Sequence, residues 1–372
     1  MNILVLAHEI GKEYGVSPFV YQQAEALVAL GHRVELFMMC PFGKKHSEPS
    51  SASLSLPLRR VYFLSASRYG KYGFNSYTCA VAIDKMLPKH CPDFCPDVVL
   101  AHTIGGSGAA AVRLKKKYGW PVIIVTHGSD TTLEIQNGKR EYIAKICRQA
   151  DVVAAVSSKL QRELLRVNSS IPVQVLHNGY NIEGGIQKTP KRKDSLVVAG
   201  NLVPSKHVEQ VIEAVADLIT EFPNLSLDIV GDGPEWKALT QQVADRGMNN
   251  CVHFYGHVPH AQLTAHMAAG EIFCLPSHPE GLGVVYLEAM ACGCAVIGTE
   301  GEGIEDIIRH GENGLLVPPD HVDKLKKTIR ILLQGHDYRK KLAQAGQITV
   351  ENLTWDKNAK KLTSIFYKIV ES

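Results

Sequence analysis

Short runs of consecutive apolar residues alternate along the chain with stretches whose apolar positions recur at helical spacing. The first run, Ile3–Ala7, predicts a strand. Phe19–Leu30, with Phe19, Ala24, Leu27, Val28 and Leu30 on one side, predicts a helix that Gly31 closes. The series continues as strand Val34–Met38, strand Val98–Ala101, a small-residue helix Gly105–Tyr118 and strand Val122–Thr126. Helix Lys139–Gln149, strand Val152–Val156 and helix Ser158–Val167 follow. These strand runs are apolar on both faces, as strands of a parallel sheet covered by helices must be.

Around Asn181–Lys193 the pattern lapses into a polar stretch that reads as a mobile connector. A second series then runs through strand Leu196–Ala199, helix Val208–Glu221, strand Leu225–Val230, helix Glu235–Asp245 and strand Val252–Tyr255. It goes on as helix Ala261–Ala268, strand Ile272–Leu275, helix Val284–Ala291, strand Ala295–Gly298 and helix Glu305–Arg309. Strand Gly314–Val317 and helix Val322–Gln334 complete it, and Thr354–Val370 reads as one more amphipathic helix. The fold class expected is α/β, with two Rossmann-like, doubly wound domains facing across a cleft. Residues 1–180 form the first domain, 181–194 the linker, 195–353 the second domain and 354–372 a terminal helix. A chain of 372 residues suits two such domains. Ligands of these sheets sit beyond the carboxyl ends of the strands, so one ligand is expected in the cleft.

Composition narrows the class. A hydrophobic content of 45% fills ordinary cores, and 21% charge is too low for a disordered or nucleic-acid-binding tail. The net charge of +3 hides an asymmetry: residues 1–175 carry 21 Lys and Arg against 13 Asp and Glu, leaving 19 against 24 in the remainder. The basic half is therefore expected to meet something anionic, the alternative being surface drift. Lys44, Lys45, Arg59, Arg60, Arg68, Lys71 and the Arg113–Lys117 cluster supply the excess, with Tyr62, Phe63, Tyr69, Tyr72 and Phe74 among them. That mixture suggests peripheral docking on an anionic membrane, against the alternative of a solvated basic face. No base-reading module accompanies it, so nucleic acid is not expected as a partner. Nine scattered cysteines do not make a disulfide framework, no apolar run is long enough to cross a bilayer, and the start lacks a basic leader. A cytoplasmic location is expected, with the inner face of the plasma membrane as its docking surface. Cys91 and Cys95 beside His90, and Cys292 with Cys294, lack the second pair a zinc site wants and read as packing residues.

The most informative stretch is Pro276-Ser-His-Pro-Glu280-Gly-Leu-Gly-Val284-Val-Tyr-Leu-Glu288-Ala-Met-Ala-Cys-Gly293. A strand ends, a glycine-bearing loop follows and a helix opens near Gly283. Free N–H groups and the positive dipole end at a helix start make an anion site, and glycines let the backbone approach the ligand. Two carboxylates bracketing such a site, Glu280 and Glu288, repel phosphate but accept hydrogen bonds from hydroxyls beside it. A nucleotide-sugar carries hydroxyls on both sides of its diphosphate.

On these residues the chain resembles glycosyltransferase family 4, retaining enzymes of the GT-B fold, through its E-x7-E segment. Further agreement lies in Val198-Ala-Gly-Asn-Leu-Val-Pro-Ser-Lys206, Val230-Gly-Asp-Gly-Pro234, Phe254-Tyr-Gly-His-Val-Pro259, Gly311-Glu-Asn-Gly-Leu-Leu-Val-Pro-Pro319 and Val175-Leu-His-Asn-Gly179. The first half agrees through Gly15, Ala29-Leu-Gly-His-Arg-Val34 and Thr126-His-Gly-Ser-Asp130. The resemblance extends to bacterial members acting in surface polysaccharide or teichuronic-acid synthesis.

The resemblance implies that Glu280 holds sugar hydroxyls, Glu288 the ribose, and the N–H groups of Leu282, Gly283 and Val284 the sugar and diphosphate. It implies that Lys206 neutralises the departing diphosphate, that Val258 lies in the base-side loop and that Gly15 approaches the phosphates. The family's usual Arg five residues before the lysine is Asn201 here, so one cation is missing, with His207 a candidate to compensate. His127, a structural residue by default after a strand, becomes a candidate beside the reacting sugar carbon. Asp130 either contacts sugar or acceptor or caps the next helix. The terminal helix is expected to cross back to the first domain. The reaction implied is retaining transfer; no Asp-x-Asp metal signature is present, so metal-independent catalysis is expected, with no cofactor. The donor expected is a UDP-sugar and the acceptor a carbohydrate or lipid-linked precursor. Two rivals are a non-catalytic nucleotide-sugar-binding subunit and a non-hydrolysing UDP-sugar epimerase.

Overall fold

The structure, a computed structural model, describes residues 1–8, 17–43, 56, 58–66, 72–182, 185 and 189–371. Its contacts divide the chain into two units: residues 1–179 together with the terminal helix Trp355–Val370, and residues 180–354.

In the first unit the described residues form seven strands: β1 (Asn2–His8), β2 (Arg33–Pro41), β3 (Leu58–Phe63), β4 (Val98–His102), β5 (Val122–Thr126), β6 (Val152–Ala155) and β7 (Val173–Val175). All pair in parallel, in the order β3-β2-β1-β4-β5-β6-β7. The inner strands β4 and β5 are buried at every residue, which is why their sequences are unbroken apolar runs. The edge strands escaped that pattern. β3 buries only Val61 and Phe63 and carries Arg59 and Arg60, and β7 has three residues. The helix Tyr72–His90 was likewise hidden in what reads as an aromatic, cationic patch.

The expected helix at Gly105–Tyr118 starts later, at Ala109, because Thr103–Gly108 makes a wider π-type segment in which Ser107 Oγ donates to the His102 carbonyl. The terminal helix packs on the first unit: Phe366 is fully buried, Trp355 Nε1 donates to Gln22 Oε1 at 2.7 Å, and Asn358 Nδ2 donates to the His177 carbonyl at 2.7 Å.

The second unit has strands β8 (Ser195–Ala199), β9 (Ser226–Val230), β10 (Val252–Gly256), β11 (Ile272–Cys274), β12 (Ala295–Thr299) and β13 (Leu315–Val317). Among the described residues they form a parallel sheet in the order β10-β9-β8-β11-β12-β13. The helix expected at Glu305–Arg309 is a short 3-10 turn, Gly303–Asp306, and the helix His336–Val350 adds to the pattern. The connector expected over 181–194 is bound in its last third: Lys191 Nζ donates to the carbonyls of Met267, Gly270 and Cys292 at 3.2, 2.7 and 2.9 Å. A lysine on the last carbonyls of two helices answers both their unpaired acceptors and their dipoles, so "mobile" does not describe this end. Cys91, Cys292 and Cys294 are core residues, whereas Cys95, expected to pack, is exposed.

Candidate active site

Each sheet reverses its strand order once, and in the second unit the loops carrying Lys206 and Glu280 leave from that reversal. In the second unit the reversal lies between β8 and β11. β8 runs into Gly200, Asn201 and the turn Pro204–Lys206, and β11 runs into the loop that carries Glu280. The two loops are tied together: His278 N donates to the Ser205 carbonyl at 2.8 Å, and Ser277 Oγ, 3.1 Å from the same carbonyl, shares its single proton between it and Glu280.

The helix Val284–Ala291 opens at Gly283, whose φ of 73° lies in the left-handed region. A Cβ there would also meet the Tyr286 ring at 2.5 Å, so only glycine fits. Tyr286 is fully buried and donates to the Leu275 carbonyl at 2.6 Å, locking the loop to the strand end. The N–H groups of Leu282, Gly283 and Val284 have no acceptor among the described residues. They form an anion cradle at a helix start.

Glu280 stands at its rim. One carboxylate oxygen accepts from Gly281 N at 3.0 Å, and the other from Ser277 Oγ at 3.0 Å and from Lys206 Nζ. Burial alone would raise its pKa, but the Lys206 ammonium and these donors together hold it below the ordinary 4.5. Expected to serve sugar and diphosphate separately, Lys206 and Glu280 are here one ion pair. Beneath them Glu302, 3% exposed, accepts from Glu280 N and hydrogen-bonds His278 Nδ1 at 2.7 Å. Glu288, in the helix, pairs one oxygen with His260 Nε2 at 3.0 Å. His207 does not offer a cation to the cradle: its Nδ1 faces Glu209 at 3.2 Å and Asp320 at 3.5 Å, and its Nε2 the His278 carbonyl at 3.1 Å.

In the first unit the reversal lies between β1 and β4. His102 ends β4, and His127 follows β5. Nδ1 of His102 lies 3.0 Å from Nε2 of His127, with the rings nearly parallel, 14° apart, and their centroids 5.3 Å apart. Burial pushes both below the ordinary 6.5, His102 well below it, so both rings are neutral at pH 7. Asp130 accepts from Thr126 Oγ1, His127 N and Gly128 N on one oxygen and from Ile104 N on the other, at 3.0–3.1 Å. Through these four protein donors Asp130 fixes the β4 and β5 loops to each other, with no bond to the helix Thr132–Gln136 that follows.

Two family models match adjoining parts of the chain: Glycosyltransferase Family 4 over residues 14–183, and Glycosyl transferases group 1 over residues 183–349. The chain is 31% identical over 267 residues to the GDP-mannose-dependent monoacylated alpha-(1-6)-phosphatidylinositol monomannoside mannosyltransferase of Corynebacterium glutamicum, covering 66% of this chain and 69% of that one. This chain belongs to glycosyltransferase family 4. It is also 29% identical over 333 residues to the N-acetyl-alpha-D-glucosaminyl L-malate synthase of Bacillus anthracis, covering 83% and 84% of the two chains. Among solved structures, sucrose-phosphate synthase from Thermosynechococcus elongatus superposes with a TM-score of 0.83 at 20% identity, over 99% of both chains. The fold is therefore GT-B, and the protein is a glycosyltransferase that uses nucleotide-sugar donors.

Within this glycosyltransferase the second unit gathers Asn201, Lys206, Glu280, Leu282, Gly283, Val284 and Glu288 on loops and a helix at one sheet edge, with Val258 two residues before His260. His127 and Asp130 lie at the corresponding edge of the first unit. Gly15 lies outside the described residues, as do Lys44, Lys45, Arg68 and Lys71. Sequence reasoning missed His102, His260 and Glu302. His102 carried a faint signal, a polar residue closing an apolar strand run; the other two carried none.

Proposed function

We propose that this glycosyltransferase moves a hexosyl or N-acetylhexosaminyl unit, with retention, from a UDP-sugar to a hydroxyl of a lipid-linked or polysaccharide-precursor acceptor. The observation that carries the reading is the cradle of Leu282, Gly283 and Val284 N–H groups, without acceptors among the described residues, with Lys206 and Glu280 at its rim. The cradle and Lys206 take the diphosphate, Glu280 the sugar hydroxyls and Glu288 the ribose, while Asn201, Val258 and Gly15 complete the donor contacts. His127 serves the transferred sugar. The bond from the anomeric carbon to the diphosphate breaks, the acceptor oxygen bonds that carbon on the same face, and the acceptor proton passes to the departing diphosphate. Growing negative charge on that diphosphate is what Lys206 and the cradle stabilise, and no metal is called on.

The test is a transfer assay over UDP-, GDP- and ADP-sugars, with the anomeric configuration of the product read by NMR. Retained configuration, turnover with one nucleotide series, loss in Glu280→Ala and indifference to EDTA are expected. Inversion, or rescue of an EDTA-treated enzyme by magnesium or manganese, overturns the mechanism. A GDP-sugar is the second reading, because the Corynebacterium glutamicum relative is GDP-mannose-dependent.

We further propose that the first unit docks on the inner face of an anionic membrane. Phe42, Tyr62, Leu64, Phe74 and Tyr77 are exposed there, with the Phe42 and Tyr62 rings 5.6 Å apart. Part of the basic excess is already paired, as Arg59 with Glu35, Lys115 with Asp151 and Lys117 with Asp84, so aromatic insertion rather than charge carries the attachment. No helix among the described residues is long and apolar enough to cross a membrane. Failure to float with anionic liposomes at physiological salt removes this proposal.

A further inference from the structure

We propose that His102, which is out of reach of any substrate, is the positioning residue of His127, and that the two rings work as one proton-correlated pair. The inference rests on the reading above that His127 serves the transferred sugar. A neutral imidazole carries one N–H, so the hydrogen bond between Nδ1 of His102 and Nε2 of His127 admits two arrangements. If His102 donates, both rings carry their proton on Nδ1, and His127 presents an N–H at its outer nitrogen. If His127 donates, both carry it on Nε2, and the same outer nitrogen becomes an acceptor. The two rings therefore always share one tautomer, and His102 decides whether His127 offers a donor or an acceptor.

Burial chooses between the arrangements. The outer nitrogens, Nε2 of His102 and Nδ1 of His127, have no partner among the described residues. His102 is 1% exposed, so an N–H on its Nε2 would be a buried donor that nothing can reach. Both outer nitrogens are covered here, but His127 as a residue is partly exposed, at the end of β5, so its Nδ1 is the one that a ligand oxygen can meet once the atoms covering it shift. The pair is thus held with both protons on Nδ1, and His127 offers a donor to a sugar oxygen.

The backbone fixes the separation. His102 stands opposite Val125 in the β4–β5 register, which puts His127, two residues further on, on the same face. Asp130 then clamps Ile104 N to the N–H groups of His127 and Gly128. No charge enters, because burial keeps both rings neutral.

Long-range proton–nitrogen NMR of the histidine-labelled chain at pH 7 reads the tautomers directly. Two neutral rings, both protonated on Nδ1, are expected; opposite tautomers, or a charged ring, overturn the pair whatever the enzyme transfers. In the transfer assay His102→Leu is expected to lower kcat about 10- to 100-fold with the donor KM little changed. His102→Asn, whose amide can occupy the place of the Nδ1 atom, is expected to restore most of the rate. A His102→Leu rate within twofold of wild type, in a variant that still shows the wild-type thermal shift with nucleoside diphosphate, overturns the inference. Absence of transfer by the wild-type chain from every donor would defeat the proposed function instead, and the NMR result would still decide the pair.

Discussion

Replacing Lys206 with methionine removes the cation from the rim of the donor cradle while keeping the length of the side chain. Glu280 keeps Ser277 Oγ and Gly281 N but loses the ammonium that offsets its burial. The side chains of Lys206 and Glu280 are only 20% and 15% exposed, so solvent screens the pair weakly. Breaking a fully buried pair costs about 3–5 kcal/mol, and this partly exposed one is expected to cost about 2–3 kcal/mol at pH 7. The loss has a definite pH dependence. In the wild-type chain the Glu280 carboxyl is held below its ordinary 4.5, so its contribution is complete above that value and fades as pH falls through the lower, folded one. In the variant only Ser277 Oγ and Gly281 N are left to oppose burial, so the folded value rises, the penalty is full at neutral pH and it disappears once the carboxyl protonates. The stability gap should therefore be widest at neutral pH and should close as pH falls through the variant's raised value and then the wild type's lowered one. Hydrogen exchange of the helix Val284–Ala291 reports the second unit alone and makes the measurement specific. Turnover should fall about 10²- to 10³-fold, the usual loss for one group that stabilises developing charge. A gap of the same size at pH 4 and pH 7 would refute the reasoning, since the penalty would then not come from an unpaired carboxylate.

Three further perturbations test neighbouring parts of the structure. Glu302→Ala deprives Glu280 N and His278 of their shared acceptor, and the affinity for nucleoside diphosphate, read by calorimetry, should fall about tenfold. An unchanged affinity would mean that the loop does not need its buried support. His260→Ala frees the Glu288 oxygen that it now orients, so the donor KM should rise severalfold with kcat nearly constant; a change confined to kcat would contradict a role through Glu288. Phe366→Ala empties a fully buried position in the terminal helix and should cost about 3–5 kcal/mol. Amide exchange should quicken in the helix Ser17–Ala29 and stay unchanged in Val284–Ala291, whereas equal quickening in both would contradict the helix's place in the first unit.

The elements legible in the sequence are those whose burial is complete or strictly periodic. β4, β5 and β8 are buried at every residue, so their sequences carry no other reading. β3 and β7 were hidden because an edge strand buries few of its side chains and can be written largely in polar residues. The donor loop was legible for a different reason: a glycine-bearing turn, a helix start and two carboxylates are contiguous, and their chemistry depends on local spacing.

Local spacing determined the strand and helix series, the α/β class, the anion cradle at Val284 and the carboxylates beside it. Tertiary structure alone decided how the polar side chains pair. Lys206 meets Glu280 across 74 residues, His260 meets Glu288 across 28, His102 meets His127 across 25, and Glu302 supports Glu280 across 22. Three of these pairs join the carboxyl ends of neighbouring strands or the loops that follow them, while His260 after β10 and Glu288 after β11 meet across two intervening strands. Which loops become neighbours there is set by strand order, which helix crossovers impose on segments far apart in the chain. Periodicity records how deeply each residue is buried but not which residue it faces, and the chemistry of this site lies in the facing.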